Sequence, residues 1–351
     1  MAAILNAFRF RADAVWKPAF SRFVSTDVCE RILCNFPDGI DMAFAYGSAV
    51  FKQEGQDEAQ KKSNMLDFIF VVNDPLEWHS QNLKANNSHY SFLKYLGPKA
   101  IADIQTKYGA GVYFNSKVFV DGREIKYGVL STSELVSDLY DWKSLYISGR
   151  LHKPAKIIIR PEKSDILTAM QVNLQNALHA SLLMLPEYFT EEQLYLKITS
   201  LSYDGDFRMR FGENKNKVSN IVSPNMPYFR QLYQHIWSKE PHLHWDSAQN
   251  CFEQYPNHVT QFHHLNLLPK LVQQNLLKHH QKNVKKSLDI EEVIRVMAFD
   301  PNCDERVADA IRDIVFKSSA TQSIKSFFTA GVFKSLKYSA RKIRKMREGN
   351  K

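Results

Sequence analysis

A Gly47-Ser48 pair closes a short apolar run, Met42 to Tyr46, and Asp67 sits inside a second, Met65 to Val72. A glycine at a strand end lets the backbone approach a polyphosphate closely, and a serine hydroxyl with nearby N–H groups can hold terminal phosphates. A strand aspartate offers the hard oxygen that Mg²⁺ prefers, and the ion in turn bridges such phosphates. Lys126, among Ile125, Tyr127 and Val129 of a later β-type run, points either to solvent or into a phosphate-binding cleft. Together these residues suit metal-assisted transfer of a phosphate-bearing group. Two other aspartates have turn explanations: Asp121 precedes Gly122 at a hairpin tip, and Asp74 precedes Pro75 just past a strand.

The elements that must position these residues have an α/β texture from about residue 40. After the two strands, a helical stretch runs from about Ser91 to Tyr108, then β-type runs over Val112 to Asn115 and Lys117 to Val129. Asp121-Gly122 inside the last run marks a hairpin. Past Pro154 the pattern is mainly helical. Asp165 to Leu185 carries one apolar face, and Thr190 with Gln193 makes a capping box that opens Thr190 to Leu201. Residues 240 to 285 are His- and Gln-rich and poorly patterned, and helices resume at Ile290 to Ala298 and Asp304 to Ile314. The pattern divides the chain into 1–23, an α/β unit over 24–160, a smaller helical domain over 161–316 and a tail over 317–351. Residues 1 to 23 hold Arg9, Arg11, Lys17 and Arg22 against one acid, Asp13. That fits an acid-poor mitochondrial targeting segment or, equally, a folded N-terminal helix.

Of the 351 residues, 44% are hydrophobic and 24% charged, an ordinary globular balance. No apolar run approaches the roughly 18 residues of a spanning helix. The four cysteines form no C-x-x-C pair, which argues against a zinc knuckle or disulfide framework. His263-His264 and His279-His280 are adjacent pairs, and neighbours on a helix do not share a face, so these read as solvated. The net charge of +9 is concentrated: Lys325 to Lys351 holds nine Lys or Arg against one Glu. On a helix starting near Gln322, Ile324, Phe328, Val332, Leu336, Ala340 and Ile343 form one stripe. Lys334, Lys337, Arg341, Lys342, Arg344, Lys345 and Arg347 enrich the remainder. An apolar stripe with a basic face suits an anionic membrane interface. A helix docked on the body accounts for the stripe alone, and a nucleic-acid tail for the charge alone.

Apolar-Gly-Ser followed by Asp on a strand resembles the signature of polymerase-beta-type nucleotidyltransferases. Those enzymes usually carry a second carboxylate two residues on, where this chain has Ile69. A longer resemblance is carried by Tyr46-Gly-Ser-Ala-Val-Phe-Lys-Gln53, Trp78-His-Ser-Gln-Asn82, His89-Tyr-Ser91 and Gly109-Ala-Gly-Val-Tyr-Phe-Asn115. Ile125-Lys-Tyr-Gly-Val129, Gly149-Arg-Leu-His-Lys-Pro154, Ser202-Tyr-Asp-Gly-Asp206 and Phe328-Thr-Ala-Gly331 continue it in order. These segments resemble the mitochondrial translocator assembly and maintenance family, whose members are phosphatidate cytidylyltransferases.

The resemblance implies a polymerase-beta-like nucleotidyltransferase domain, a mostly helical winged-helix-like domain and a C-terminal amphipathic membrane-binding helix. It implies transfer of CMP from CTP to phosphatidic acid with Mg²⁺, giving CDP-diacylglycerol and pyrophosphate for cardiolipin synthesis. The setting it implies is the matrix side of the mitochondrial inner membrane, peripherally bound, with no nucleic-acid partner. In that reading Asp67 holds the metal, Gly47 and Ser48 cradle phosphates, and Lys126 neutralises charge. Arg150 and Lys153 either bind a phosphate or cap a helix C-terminus. Tyr203, Asp206 and Arg208 contribute to the nucleotide pocket, unless Arg208 simply pairs with Asp206. His79, Asn82, His89 and Tyr90 are motif residues without a derived role; His79 could bond a loop carbonyl. Phe328, Val332, Leu336, Lys337, Arg341, Lys342, Ile343, Arg344 and Lys345 would meet the membrane. An RNA or tRNA nucleotidyltransferase and a non-catalytic import or assembly factor are the competing readings.

Overall fold

The computed structural model describes residues 26–51, 53, 64–210, 216–283 and 288–329. The expected targeting segment at 1–23 and the tail residues Val332, Leu336, Lys337, Arg341, Lys342, Ile343, Arg344 and Lys345 lie outside them. In chain order the elements are α1 (Thr26–Leu33), β1 (Ile40–Tyr46), β2 (Leu66–Val72), α2 (Pro75–Ala85), α3 (Gly97–Lys107), β3 (Tyr113–Val120) and β4 (Arg123–Ser131). Then come α4 (Thr132–Asp141), α5 (Ser148–Leu151), β5 (Lys156–Ile159), α6 (Ser164–Leu182), β6 (Tyr188–Phe189), α7 (Glu191–Ser200) and α8 (Phe207–Arg210). The chain continues through α9 (Lys217–Val222), α10 (Met226–Trp237), β7 (Leu243–Asp246) and β8 (Cys251–Gln254). It closes with α11 (His258–Asn266), α12 (Lys270–Asn283), α13 (Ile290–Met297) and α14 (Cys303–Thr329). The architecture is mixed α/β. Described residues within 1–135, 154–168 and 322–342 form one compact unit, and those within 136–153 and 169–321 a second.

The first unit is built on a five-stranded sheet in the order β3-β4-β2-β1-β5. β2 runs parallel to β4, and every other neighbouring pair is antiparallel. The central position of β2 explains its near-continuous apolar sequence, because both faces of the strand are covered. Leu66, Phe68, Phe70 and Val72 join Phe36, Trp78, Ile125, Tyr127 and Val129 in one core. Phe36 packs edge-on against Phe70 and Tyr127, with ring centroids at 4.9 and 4.8 Å. Alternation along the strand turns Asp67, Ile69 and Val71 to the other face.

Local signals account for the turns. Asp121 and Gly122 both take left-handed backbone (φ 48° and 73°), as a two-residue hairpin turn between β3 and β4 requires. The two β-type runs before that turn are one strand. A register shift between Asn115 and Val118, with Lys117 at φ 55°, breaks the alternation that made them look separate. Asp74 caps α2 by accepting from Leu76 N (2.8 Å) and Glu77 N (3.2 Å), with Pro75 in the first turn. β5, in a segment read as mainly helical, pairs with β1 at the sheet edge.

In the second unit, helices accompany a small antiparallel sheet ordered β6-β8-β7. The Thr190–Gln193 capping box forms as expected, with reciprocal bonds of 2.7 and 3.2 Å. β7 and β8 arise within the poorly patterned stretch. Each has four residues, too few to show alternation, and they are held by Phe252 packed against Trp245 (4.7 Å) and Trp237 (5.1 Å). α14 is a single helix of 27 residues, so the helix expected to start near Gln322 is its continuation. Among the described residues no helix is long and apolar enough to cross a membrane.

Candidate active site

Asp67 and Lys126 are register partners on the parallel strands β2 and β4. Their side chains meet on the same face, with Lys126 Nζ 3.5 Å from Asp67 Oδ1 and each about a quarter exposed. Lys126 Nζ also lies 4.4 Å above the Phe114 ring, which fixes its direction. Tyr46, the last residue of β1, is the register partner of Asp67 on the other side. Gly47 follows at φ 85°, and a Cβ built there would stand 3.5 Å from Asp67 Oδ2. The glycine therefore turns the chain directly past the carboxylate. Val50 N and Phe51 N both bond Gly47 O at 3.0 Å, which closes this turn. Asn64 Nδ2 donates to Ser48 Oγ at 3.3 Å, which fixes the serine next to Gly47 in the chain.

Asn64 lies outside every motif segment, and Phe114 falls within Gly109–Asn115 without a role that its spacing assigns. Asp67 Oδ1 is buried and accepts no hydrogen bond. A buried carboxylate oxygen beside only an ion-pair partner suits a further cationic ligand. Ile69 is fully buried where a second carboxylate would stand, and its Cδ1 would lie 2.9 Å from a Cβ at Gly128. A one-carboxylate site still fits Mg²⁺, which usually keeps several waters and binds through one or two carboxylates plus substrate phosphates.

The motif residues without a derived role lie on the opposite face. His79, Asn82 and Tyr127 are fully buried and Tyr90 nearly so. Asn82 Nδ2 donates to the hydroxyls of Tyr90 (2.9 Å) and Tyr127 (3.0 Å), and His89 Nδ1 lies 3.2 Å from Tyr127 Oη. His79 Nδ1 is 2.7 Å from Tyr90 Oη and its Nε2 is 2.9 Å from Gln105 Oε1. His79 therefore bonds two side chains rather than a loop carbonyl. Burial lowers its pKa to about 4, with the Gln105 contact partly opposing, and the ring is neutral. Burial also raises the Tyr90 and Tyr127 phenols. Tyr127 adjoins Lys126 in β4, so this network anchors the strand that presents the lysine.

A second set of predicted residues gathers in the second unit. The buried Asp138 carboxylate accepts from Ser144 N (2.7 Å), Leu145 N (2.9 Å), Ile147 N (3.1 Å) and Ser148 N (2.9 Å). That loop leads into the short α5, which carries Arg150. The Arg150 guanidinium stacks 3.9 Å above Tyr146 and donates to Tyr146 O. Lys153 Nζ donates to Ser202 Oγ (2.7 Å) and to Gly149 O, and sits 5.0 Å above the Tyr203 ring. The helix-end carbonyl contacts proposed as an alternative thus exist alongside the cation cluster. Arg208 forms the expected forked pair with the buried Asp206, with contacts of 2.6 and 3.0 Å.

Burial lowers the Lys153 pKa to about 7, with Arg150, Lys217 and Arg208 adding to the shift and Asp206 opposing it. Desolvation pushes Asp206 up, but Arg208 and Arg150 outweigh it and hold the carboxyl below its ordinary value. Four cations thus face one carboxylate, which Arg208 already engages. Clustered cations of this kind favour an anionic group beside them. Lys217 and Tyr146 escaped the sequence reading, since only folding brings Lys217 near Lys153 and Tyr146 beneath Arg150 and Arg208.

A sequence profile described as "Phosphatidate cytidylyltransferase, mitochondrial" matches residues 29–345, which takes in both clusters. The chain belongs to this family. Relatives of that same name include one from Danio rerio, 49% identical over 319 residues, covering 91% of this chain and 94% of its own. One from Mus musculus is 48% identical over 319 residues, covering 91% and 94%. One from Caenorhabditis elegans is 40% identical over 306 residues, covering 87% and 94%.

The family match extends into the tail, of which α14 describes the beginning. Gln322 Oε1 accepts from Ala110 N (3.0 Å) and its Nε2 donates to Val112 O (3.2 Å). Lys325 Nζ donates to Gln105 O (3.1 Å) and Tyr108 O (2.6 Å), satisfying carbonyls at the end of α3. The docked side of this helix is therefore polar, while Ile324 and Phe328 are 62% and 53% exposed. The solvated reading of the histidines fails for His264, which is 1% exposed and faces His179 and His263.

Proposed function

We propose that this chain is a mitochondrial phosphatidate cytidylyltransferase that transfers CMP from CTP to phosphatidic acid. The observation that carries the reading is the Asp67–Lys126 pair set against the Gly47 turn, in a chain of this family. The arrangement is what a polymerase-beta-like nucleotidyltransferase domain needs, and the second unit takes the place of the winged-helix-like domain. The attacking group is a phosphatidate oxygen, ionised at neutral pH because the second phosphate pKa is about 6. It forms a bond to the α-phosphorus of CTP, and the α–β anhydride bond breaks to release pyrophosphate. Catalysis then consists of positioning and charge stabilisation. Asp67 would hold Mg²⁺, which supplies charge neutralisation on the phosphates when bound. Gly47 and Ser48 hold the β- and γ-phosphates, and Lys126 faces the developing negative charge. Arg150, Lys153 and Arg208 give a phosphate a second cationic seat.

The product feeds cardiolipin synthesis, and the protein acts peripherally on the matrix side of the inner membrane. The exposed Ile324 and Phe328 support a membrane-facing stripe along the tail. The test is purified protein with phosphatidate liposomes, Mg²⁺ and labelled CTP, beside Asp67→Ala. Labelled CDP-diacylglycerol from wild type alone supports the reading. No lipid product with liposome binding intact refutes it and brings the RNA-modifying and assembly-factor alternatives forward.

A further inference from the structure

A second constellation of ligating side chains lies within the second unit. His179 in the last turn of α6, Glu240 just after α10, and His263 and His264 in the last turn of α11 converge. One ligating atom from each falls within 4.8 Å of the others. His179 Nδ1 lies 3.0 Å from His264 Nδ1 and 3.8 Å from Glu240 Oε2, and His263 Nε2 lies 3.3 Å from Glu240 Oε1. The group is secluded: the side chains of His179 and Glu240 are 9% and 6% exposed, and His264 is 1% exposed.

Protein partners alone leave this group underserved. The Nε2 atoms of both His263 and His264 are buried and make no hydrogen bond. Buried polar atoms are ordinarily satisfied, so each such orphan calls for a reason. Burial lowers the pKa of His179 to about 4, with His263 contributing, and that of His264 to about 2, with His179 and His263 contributing. Both rings are therefore neutral at physiological pH and carry the lone pair that a metal requires. The secluded Glu240 carboxylate accepts from His242 N at 3.4 Å and lies 3.3 Å from His263 Nε2, and it offers the cluster its one anionic oxygen donor.

We propose that His179, Glu240, His263 and His264 form a structural site for a divalent cation of the Zn²⁺ class. Three imidazole nitrogens and one carboxylate oxygen suit tetrahedral Zn²⁺ and disfavour Mg²⁺, which prefers oxygen. A site with four protein ligands is closed, so its role is to tie α6, α11 and the link between α10 and β7 together. It is separate in donor chemistry from the Asp67 site.

The test uses the full chain, stripped with a chelator and refilled with Zn²⁺ in the presence of excess Mg²⁺. Metal content and the visible spectrum of a Co²⁺-substituted sample are read for wild type, His263→Asn, Glu240→Gln, His279→Asn and Asp67→Ala. The expected result is one tightly held Zn²⁺ per chain, a tetrahedral Co²⁺ spectrum and a raised Tm. His263→Asn and Glu240→Gln should weaken binding by more than about 100-fold, since even outer-shell changes cost about 10- to 100-fold. His279→Asn and Asp67→Ala should retain the metal. His263 is a third exposed, so its replacement by Asn is the variant least prone to misfold. No uptake by wild type, or uptake unchanged in both ligand variants, overturns the site and leaves an N–H···N pair between His179 and His264.

Discussion

Replacing Lys126 by Met separates a catalytic lysine from a merely structural one. At 3.5 Å and an effective dielectric of about 20, the Asp67–Lys126 attraction is about 5 kcal/mol before desolvation. With both side chains about a quarter exposed, the net worth of such a pair falls to about 1 kcal/mol. The contact over Phe114 adds about 0.5–1 kcal/mol, part of which Met retains through its own packing on the ring. Stability should therefore fall by no more than about 1–2 kcal/mol, a Tm change of a few degrees. Transition-state charge is another matter. Removing one preorganised partner of a developing charge costs about 3–4 kcal/mol, or about 10²- to 10³-fold in rate.

The assay is cytidylyl transfer to phosphatidate liposomes, with Tm read on the same preparations. Lys126→Met should lose at least about 10²-fold in kcat at nearly wild-type Tm, and Lys126→Arg should recover part of it. A rate within tenfold of wild type would refute the role assigned to Lys126, as would a loss that simply follows the unfolded fraction.

Gly128→Ala places a Cβ 2.5 Å from Phe114 Cε1, 2.8 Å from Val112 Cγ1 and 2.9 Å from Ile69 Cδ1, and should destabilise by about 1–3 kcal/mol in urea titration. Because Phe114 supports Lys126, its kcat should fall as well. Asn82→Ala removes a donor shared by two buried phenols and should cost about 1–3 kcal/mol, with KM for CTP unchanged in the folded fraction. The folded pKa of Lys153, about 7, lies below its ordinary 10.5, so the unfolded chain binds more protons between these values. Its contribution to stability thus rises with pH across that window. Affinity for a phosphate-bearing ligand should fall across the same window, and Lys153→Met should flatten the dependence, as titrated with CTP and with a short-chain phosphatidate. Truncation after Thr329 should abolish flotation with anionic vesicles while leaving Tm within a few degrees.

The legible parts of the fold were those with local causes. β2 announced itself by a continuous apolar run, the β3–β4 turn by Asp121-Gly122, and α7 by its capping box. β5, β7 and β8 were hidden because four residues cannot display a period, and their pairing is decided by distant partners such as β1 and Trp237. The Asp67–Lys126 pair was half visible. Each residue type suggested its chemistry, but only the register of two parallel strands, 59 positions apart in sequence, makes them neighbours. Helical spacing alone does not reveal that His264 is buried. His263 and His264 instead converge with His179 of α6 and Glu240 of the segment after α10, which only the tertiary fold brings to them.

Two histidines of the motif segments are unsuited to act as general bases. His79 lies behind the sheet with both ring nitrogens engaged and its pKa lowered to about 4. His152, within the Gly149–Pro154 motif, is fully buried, lies 3.0 Å from Asn173 Oδ1, and is lowered to about 3, chiefly by burial. A hydroxyl nucleophile would need a base at this position, because its proton must go somewhere. An ionised phosphate has no such proton to lose. An ionised phosphate acceptor is therefore compatible with motif histidines that are neutral and engaged, because it asks no imidazole to take a proton.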